Sequence, residues 1–328
     1  MSKHNQIRVP VAIRGDDQAG TKAAQFLSTD YWIYGEGQAI AAHDLATPFE
    51  APALTEAPAP PHNDKPAPDD DPPTVIMVHG FRGDHHGLEL IAQALTPTRV
   101  ISPDLPGFGR TGPLPTPHTL KGYVDFLRAF IRELDLATPP VVVGHSFGSI
   151  VAAGFAAEYP EALSKLVLIN PIASPALEGP QKVLTLLTVF YYRLATALPA
   201  APGLELLRNR LIVRLMSIVM AKTKDPELRQ YIHGQHDAHF SSFSDRQTLL
   251  EAFTTSIQNT ATQSAADIKT PTLLIASERD DISSLPAQEA LHASIVDSRL
   301  IVIPRAGHLV HYEAPQHAAA AIQEFITA

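Results

Sequence analysis

The stretch Val141-Val142-Val143-Gly144-His145-Ser146-Phe147-Gly148-Ser149-Ile150 decides the reading of this chain. A β-branched run ends in Gly-His-Ser-Phe-Gly, and small apolar residues with helical character follow. A strand that turns at once into a helix forces a strained backbone at the serine. Glycine is needed on both sides, because side chains at 144 and 148 would collide across the turn. The strain pushes the Ser146 hydroxyl out at the top of a sheet. The following helix N-terminus supplies positive potential for an oxyanion.

Working outward, short apolar runs alternate with helical patterns. Thr74–His79 and Leu166–Asn170 are uninterrupted apolar runs that suit strands buried on both faces, and Arg99–Ile101 is a shorter one. Leu120–Leu136 is an amphipathic helix, with apolar positions at Tyr123, Phe126, Leu127, Phe130, Ile131 and Leu134. The helix after Ser146 runs to about Glu158. Further strands are expected at Thr272–Ala276 and Arg299–Ile303, with helices near Pro286–Ile295 and Ala314–Thr327. This alternation predicts an α/β protein with a mostly parallel sheet and helices on both faces. Residues 6–14 and 29–35 read as two N-terminal strands.

Two segments break the rhythm. Residues 44–73 are rich in Pro, Ala and Asp and hold almost no large apolar side chains, so they read as a flexible insertion. Residues 172–268 hold helical patterns at 180–198, 204–221, 226–233 and 244–257 with no strand between them, and read as an inserted helical cap. The division expected is therefore 1–43 and 74–171 for the first part of the core, 172–268 for the cap, and 269–328 for the rest of the core.

The chain has 328 residues and a formal net charge of -9. That balance argues against nucleic acid as a partner and gives no attraction to anionic membranes. With no cysteine, disulfides, thiolate metal sites and cysteine nucleophiles are excluded. Met1–Gln6 leads into no apolar run, so no signal peptide is expected. No apolar run approaches the roughly 20 residues that span a bilayer. A soluble, cytoplasmic protein is expected.

A serine hydroxyl is a poor nucleophile until a base takes its proton and a third group orients that base. Downstream of Ser146, the run Leu273–Ala276 leads into Ser277-Glu278-Arg279-Asp280-Asp281. Ile301-Val302-Ile303 leads into Pro304-Arg305-Ala306-Gly307-His308. Both polar groups follow the C-terminal end of a strand, where ligands bind in open α/β sheets. His79-Gly80-Phe81, Asp104–Gly109, Gly144–Gly148, Ser277–Ile282 and Gly307-His308 together resemble the α/β-hydrolase superfamily. The resemblance covers 74–171 and 269–328. It implies Ser146 as nucleophile, His308 as general base and acid, and Asp280 as the residue that orients it. It also implies an oxyanion hole formed by the backbone N–H groups of Phe81 and Phe147, with both phenyl rings as pocket walls.

Ser277 and Ser149 depart from the family's commoner glycines, and Asp281 competes with Asp280 as His311 does with His308. A serine at the elbow excludes mechanisms that need a carboxylate nucleophile. The expected activity is cleavage of a carboxylic ester with a small or apolar acyl group. C–C bond hydrolysis, acyl transfer, perhydrolysis and slow-turnover ligand binding are the alternatives, since all use the same residues. His85-His86 and the group His233, His236, His239 invite a metal reading. Spacings of three do not keep three ligands on one helix face, and no carboxylate joins them in a recognised pattern. No metal and no cofactor are expected, and the oligomeric state is left open.

Overall fold

The computed structural model describes residues 2–11, 25–35, 55–56, 73–176 and 182–328. The strands are β1 (Lys3–Val11), β2 (Gln25–Tyr34), β3 (Thr55–Glu56), β4 (Val75–Val78), β5 (Val100–Pro103), β6 (Val141–His145), β7 (Lys165–Ile169), β8 (Thr272–Ser277) and β9 (Ser298–Ile303). They form one sheet in the order β1-β2-β5-β4-β6-β7-β8-β9-β3. From β5 to β9 every neighbouring pair is parallel. β2 joins β5 antiparallel, and β1 closes that edge as a hairpin partner. Of the segment 44–73, only Thr55–Glu56 and Pro73 are described. The pair at 55–56 lies antiparallel to β9, and the expected flexible character of the remainder lies outside the described residues.

The uninterrupted apolar runs have the burial they imply. Val75, Met77, Val141, Val143, Val167 and Ile169 pack on one face of the sheet, against α1 (Glu89–Ala94) and α11 (Pro315–Thr327). Ile76, Val78, Val142, Leu166 and Leu168 pack on the other, with α2 (Leu120–Glu133) and α3 (Phe147–Glu158). A strand residue covered on either side needs no polar partner face.

Between β7 and β8 the described helices are α4 (Lys182–Ala197), α5 (Ala200–Leu207), α6 (Arg210–Met220), α7 (Pro226–His239) and α8 (Arg246–Gln258). The pattern read as one helix over 204–221 is two. Asn209 interrupts it and its side chain accepts from the amides of Leu211 and Ile212, capping α6. α7 continues to His239, six residues beyond the expected end. Two short helices complete the fold, α9 (Leu285–Ser294) and α10 (Val310–Glu313).

Candidate active site

The turn at the end of β6 is as strained as its sequence demands. Ser146 has φ 53° and ψ -119°, a region that ordinary side chains rarely occupy. A Cβ on Gly144 would lie 2.3 Å from the Gly148 carbonyl oxygen, and one on Gly148 would lie 2.1 Å from the Val78 carbonyl oxygen. Ser149, which stands where glycine is commoner, earns its position by hydrogen bonding. Its hydroxyl donates to the Ser146 carbonyl at 2.5 Å and accepts from the Ile172 amide at 3.2 Å.

Three strand ends bring the predicted residues together. The Ser146 hydroxyl lies 2.8 Å from His308 Nε2, and His308 Nδ1 lies 2.9 Å from Asp280 Oδ2. The Asp280 side chain is fully buried. Its other oxygen accepts from the amides of Ile282 and Ser283 at 2.9 and 3.1 Å. Those two bonds fix the carboxylate plane toward the imidazole. Asp281 turns the other way and pairs with Lys222 Nζ at 2.6 Å, on the segment that joins α6 to α7. His311 does not contact Ser146. It is buried against His145, and burial holds its pKa well below the usual histidine value.

Phe81 and Phe147 differ from expectation in one respect. The amide of Phe147 opens α3, where no intrahelical acceptor exists for it. Phe81 follows Gly80 in the loop after β4 and is among the residues lining the pocket above Ser146, with its ring packed against Phe108, Tyr192 and Phe253. Phe147 is not among those lining residues. It is 1% exposed and packs edge-on to Tyr123 in the core, with ring centres 5.2 Å apart. The expectation of two phenyl walls is therefore corrected to one, because the α3 axis points residue 147 into the sheet layer.

Several residues hold the loops around Ser146 and His308 in place, and of these Asn170 and Arg82 had no role expected from the sequence. Asn170, at the end of β7, donates to the carbonyls of Gly307 and His308 at 3.1 and 3.0 Å. His145 also touches the His308 carbonyl, at 3.2 Å, and burial and the neighbouring His308 push its pKa down to about 3. The His79 ring is fixed as a neutral tautomer. Nδ1 donates to the Gly80 carbonyl and Nε2 accepts from the Leu105 amide, both at 2.9 Å. Arg82 is 1% exposed and reaches from the Phe81 loop into the helical insertion. It donates to the carbonyls of Phe240 and Leu207 at 3.0 and 2.8 Å and to the Tyr192 hydroxyl at 3.3 Å. Such long-range pairs leave no local spacing signal. Only the tight Asp104–Gly109 turn hinted at one: Asp104 accepts from the amides of His85 and Arg110.

The pocket over Ser146 is lined by Phe81, Leu88, Met220, Phe240 and Leu309 on its apolar side, and by His79, His239, His311 and Asp84 on its polar side. α4 and α6 carry exposed large apolar residues, among them Leu187, Phe190, Leu211 and Leu215. From the insertion, Met220, His239 and Phe240 line this pocket.

The model of the alpha/beta hydrolase family matches residues 75–322. Human monoacylglycerol lipase ABHD6 is 26% identical over 260 residues, covering 77% of this chain and 75% of that protein. A putative 2-succinyl-6-hydroxy-2,4-cyclohexadiene-1-carboxylate synthase from Bacillus subtilis is 26% identical over 266 residues, covering 77% and 90%. Among solved structures, a thermophilic esterase from Thermogutta terrifontis superposes with a TM-score of 0.68 at 22% identity, over 98% of this chain and 97% of that one. At that identity the superposition speaks for the shared fold. Among the described residues no helix is long and apolar enough to cross a membrane.

Proposed function

The chain belongs to the alpha/beta hydrolase family, and from that premise we propose that it is a serine hydrolase cleaving a carboxylic ester through an acyl-enzyme. The observation that carries this reading is the unbroken line from Ser146 Oγ through His308 to the buried Asp280, at 2.8 and 2.9 Å. Ser146 Oγ attacks the ester carbonyl while His308 Nε2 takes its proton. The amides of Phe81 and Phe147 hold the oxyanion. His308 then gives the proton to the departing alkoxide, leaving the acyl group on Ser146. Water, deprotonated by the same nitrogen, attacks the acyl carbonyl and restores the serine. Asp280 holds the imidazole in the required tautomer and stabilises its charged form.

A neutral substrate is favoured. The pocket lining contains the carboxylate of Asp84 and no lysine or arginine, so no cationic side chain of the lining pairs with an anionic acyl group. The relationship to a monoacylglycerol lipase supports an ester as the substrate class. The test is Ser146→Ala against a graded series of p-nitrophenyl esters, with fluorophosphonate labelling. Loss of labelling and of kcat by about 10³-fold or more is expected, since triad members act as a unit. Retention of a tenth of the activity would remove the serine mechanism. Labelling without turnover would favour a ligand-binding role for the same site.

A further inference from the structure

Outside the triad, one cluster of ligand-type side chains converges on the pocket rim. Asp84, in the loop after β4, is 4% exposed at its side chain and lies between His86 and His239. Its Oδ1 is 3.0 Å from His86 Nδ1, and its Oδ2 is 3.3 Å from His239 Nδ1. The three ligand atoms lie within 4.8 Å of one another. His86 and His239 are 153 positions apart in sequence and face each other, with ring centres 3.8 Å apart. The histidine spacings alone gave no such grouping, because the carboxylate comes from the core and one imidazole from the last turn of α7.

We infer that Asp84, His86 and His239 form a binding site for a zinc-class divalent cation that ties the helical insertion to the core. Two imidazole nitrogens and one carboxylate are a common zinc donor set, and they suit zinc better than magnesium or calcium, which prefer all-oxygen shells. Four ligands at about 2.0–2.1 Å around zinc stand about 3.3–3.4 Å apart along the edges of a tetrahedron. The separations of 3.0 and 3.3 Å run from the two imidazoles to different carboxylate oxygens, Oδ1 and Oδ2, so a small turn of the Asp84 carboxylate brings one oxygen onto edges of that length. The rings must splay somewhat from their stacked arrangement, and side-chain exposures of 35% for His86 and 24% for His239 leave them room. Asp84 is held more firmly, since it also accepts from the His86 amide at 3.0 Å. Behind His86, the His85 ring is clamped between Trp32, at 3.2 Å, and the Asp104 carboxylate. The His85 ring in turn packs against the His86 ring, with ring centres 3.8 Å apart. Asp84 and His239 also line the Ser146 pocket.

The test uses the full chain, freed of metal by chelation and titrated with Zn²⁺ or Co²⁺ in a calorimeter. One ion per chain is expected, with a melting temperature raised by several degrees and the visible absorption of four-coordinate cobalt. His86→Gln and His239→Gln should each weaken binding by at least tenfold, while Ser146→Ala binds as the parent does. Both histidines are partly exposed, and melting in chelator checks that the variants fold. The cobalt spectrum of the unmodified chain decides the matter even where a variant does not. Absence of binding, a six-coordinate cobalt spectrum, or affinity unchanged in both variants would overturn the site. Affinity lost only in His308→Gln would place the ion at the triad instead. No ester is used, so the outcome is independent of the hydrolase reading.

Discussion

Helices α3 and α6 are both apolar and both approach the pocket, yet they are held in opposite ways. α3 buries Phe147 and the run from Ser149 to Ala153, because it lies in the helix layer against β6. α6 buries Val213 and Ser217, and leaves Leu211 80% and Leu215 62% exposed. The core places Ser146, Asp280 and His308 at strand ends whose backbone is bonded on both sides. The insertion is fastened by discrete polar anchors: Arg82 on the Phe240 and Leu207 carbonyls, Lys222 on Asp281, and Glu313 on the amides of Lys222 and Thr223. Placement of the reacting atoms thus rests in the sheet, and the shape of the pocket rim rests on a few side chains that bridge to it.

The sharpest way to break this contrast is at the paired aspartates. Asp280→Asn should cost about 10⁴-fold in kcat, because the imidazole loses its orienting acceptor. Asp281→Asn should leave kcat within a few-fold, since that carboxylate only bridges to Lys222 across the insertion boundary. Steady-state kinetics on both purified variants decides it, and a reversal would move the acid to Asp281.

Glycine substitutions probe the same difference in rigidity. Gly148→Ala forces a methyl against the Val78 carbonyl at 2.1 Å, whereas Gly234 in α7 has nothing within 4 Å. The first should destabilise by about 3 kcal/mol or more. The second should stabilise by about 0.5–1 kcal/mol, through the helix preference of alanine. Denaturant unfolding of both variants measures this. Equal destabilisation would show that α7 is packed as tightly as the elbow.

Acid should loosen both regions. Burial depresses the pKa of His79, His145 and His311 around the elbow, and of His236 in α7 to about 3. Below the ordinary histidine value of about 6.5 the unfolded chain binds protons that these folded groups refuse. Stability therefore rises with pH across the window from about 3 to about 6.5, and is lost as pH falls through it. Each such group contributes up to about 1.4 kcal/mol per pH unit. Melting temperatures at pH 6.5 and 4.5 should differ by many degrees, and His145→Gln should flatten the slope. An unchanged melting temperature would contradict the buried neutral state.

The smallest effect is expected on the outer face of the insertion. Leu215→Ser should change stability by less than about 0.5 kcal/mol, whereas Ile150→Ala in α3, fully buried, should cost about 2–5 kcal/mol. A large loss at Leu215 would mean that the α6 face is covered in solution.

The chain order Ser146, Asp280, His308 and the strands beneath them were legible in the sequence, because each is announced locally. A buried parallel strand shows as a short apolar run, and a tight turn shows as glycine at positions where a Cβ cannot fit. The helical character of 172–268 was legible for the same reason, though its break at Asn209 was hidden inside a continuous apolar pattern. Tertiary structure alone decided the partner of Asp281, which turns to Lys222, and the turn of the Phe147 ring into the core. It alone brought Asn170 to the backbone of the His308 loop, Arg82 to the insertion, and His239 to Asp84 and His86. Those pairings span from 110 to 158 positions. Local patterns report what a residue needs from its immediate neighbours; distant partners are chosen by how the layers pack.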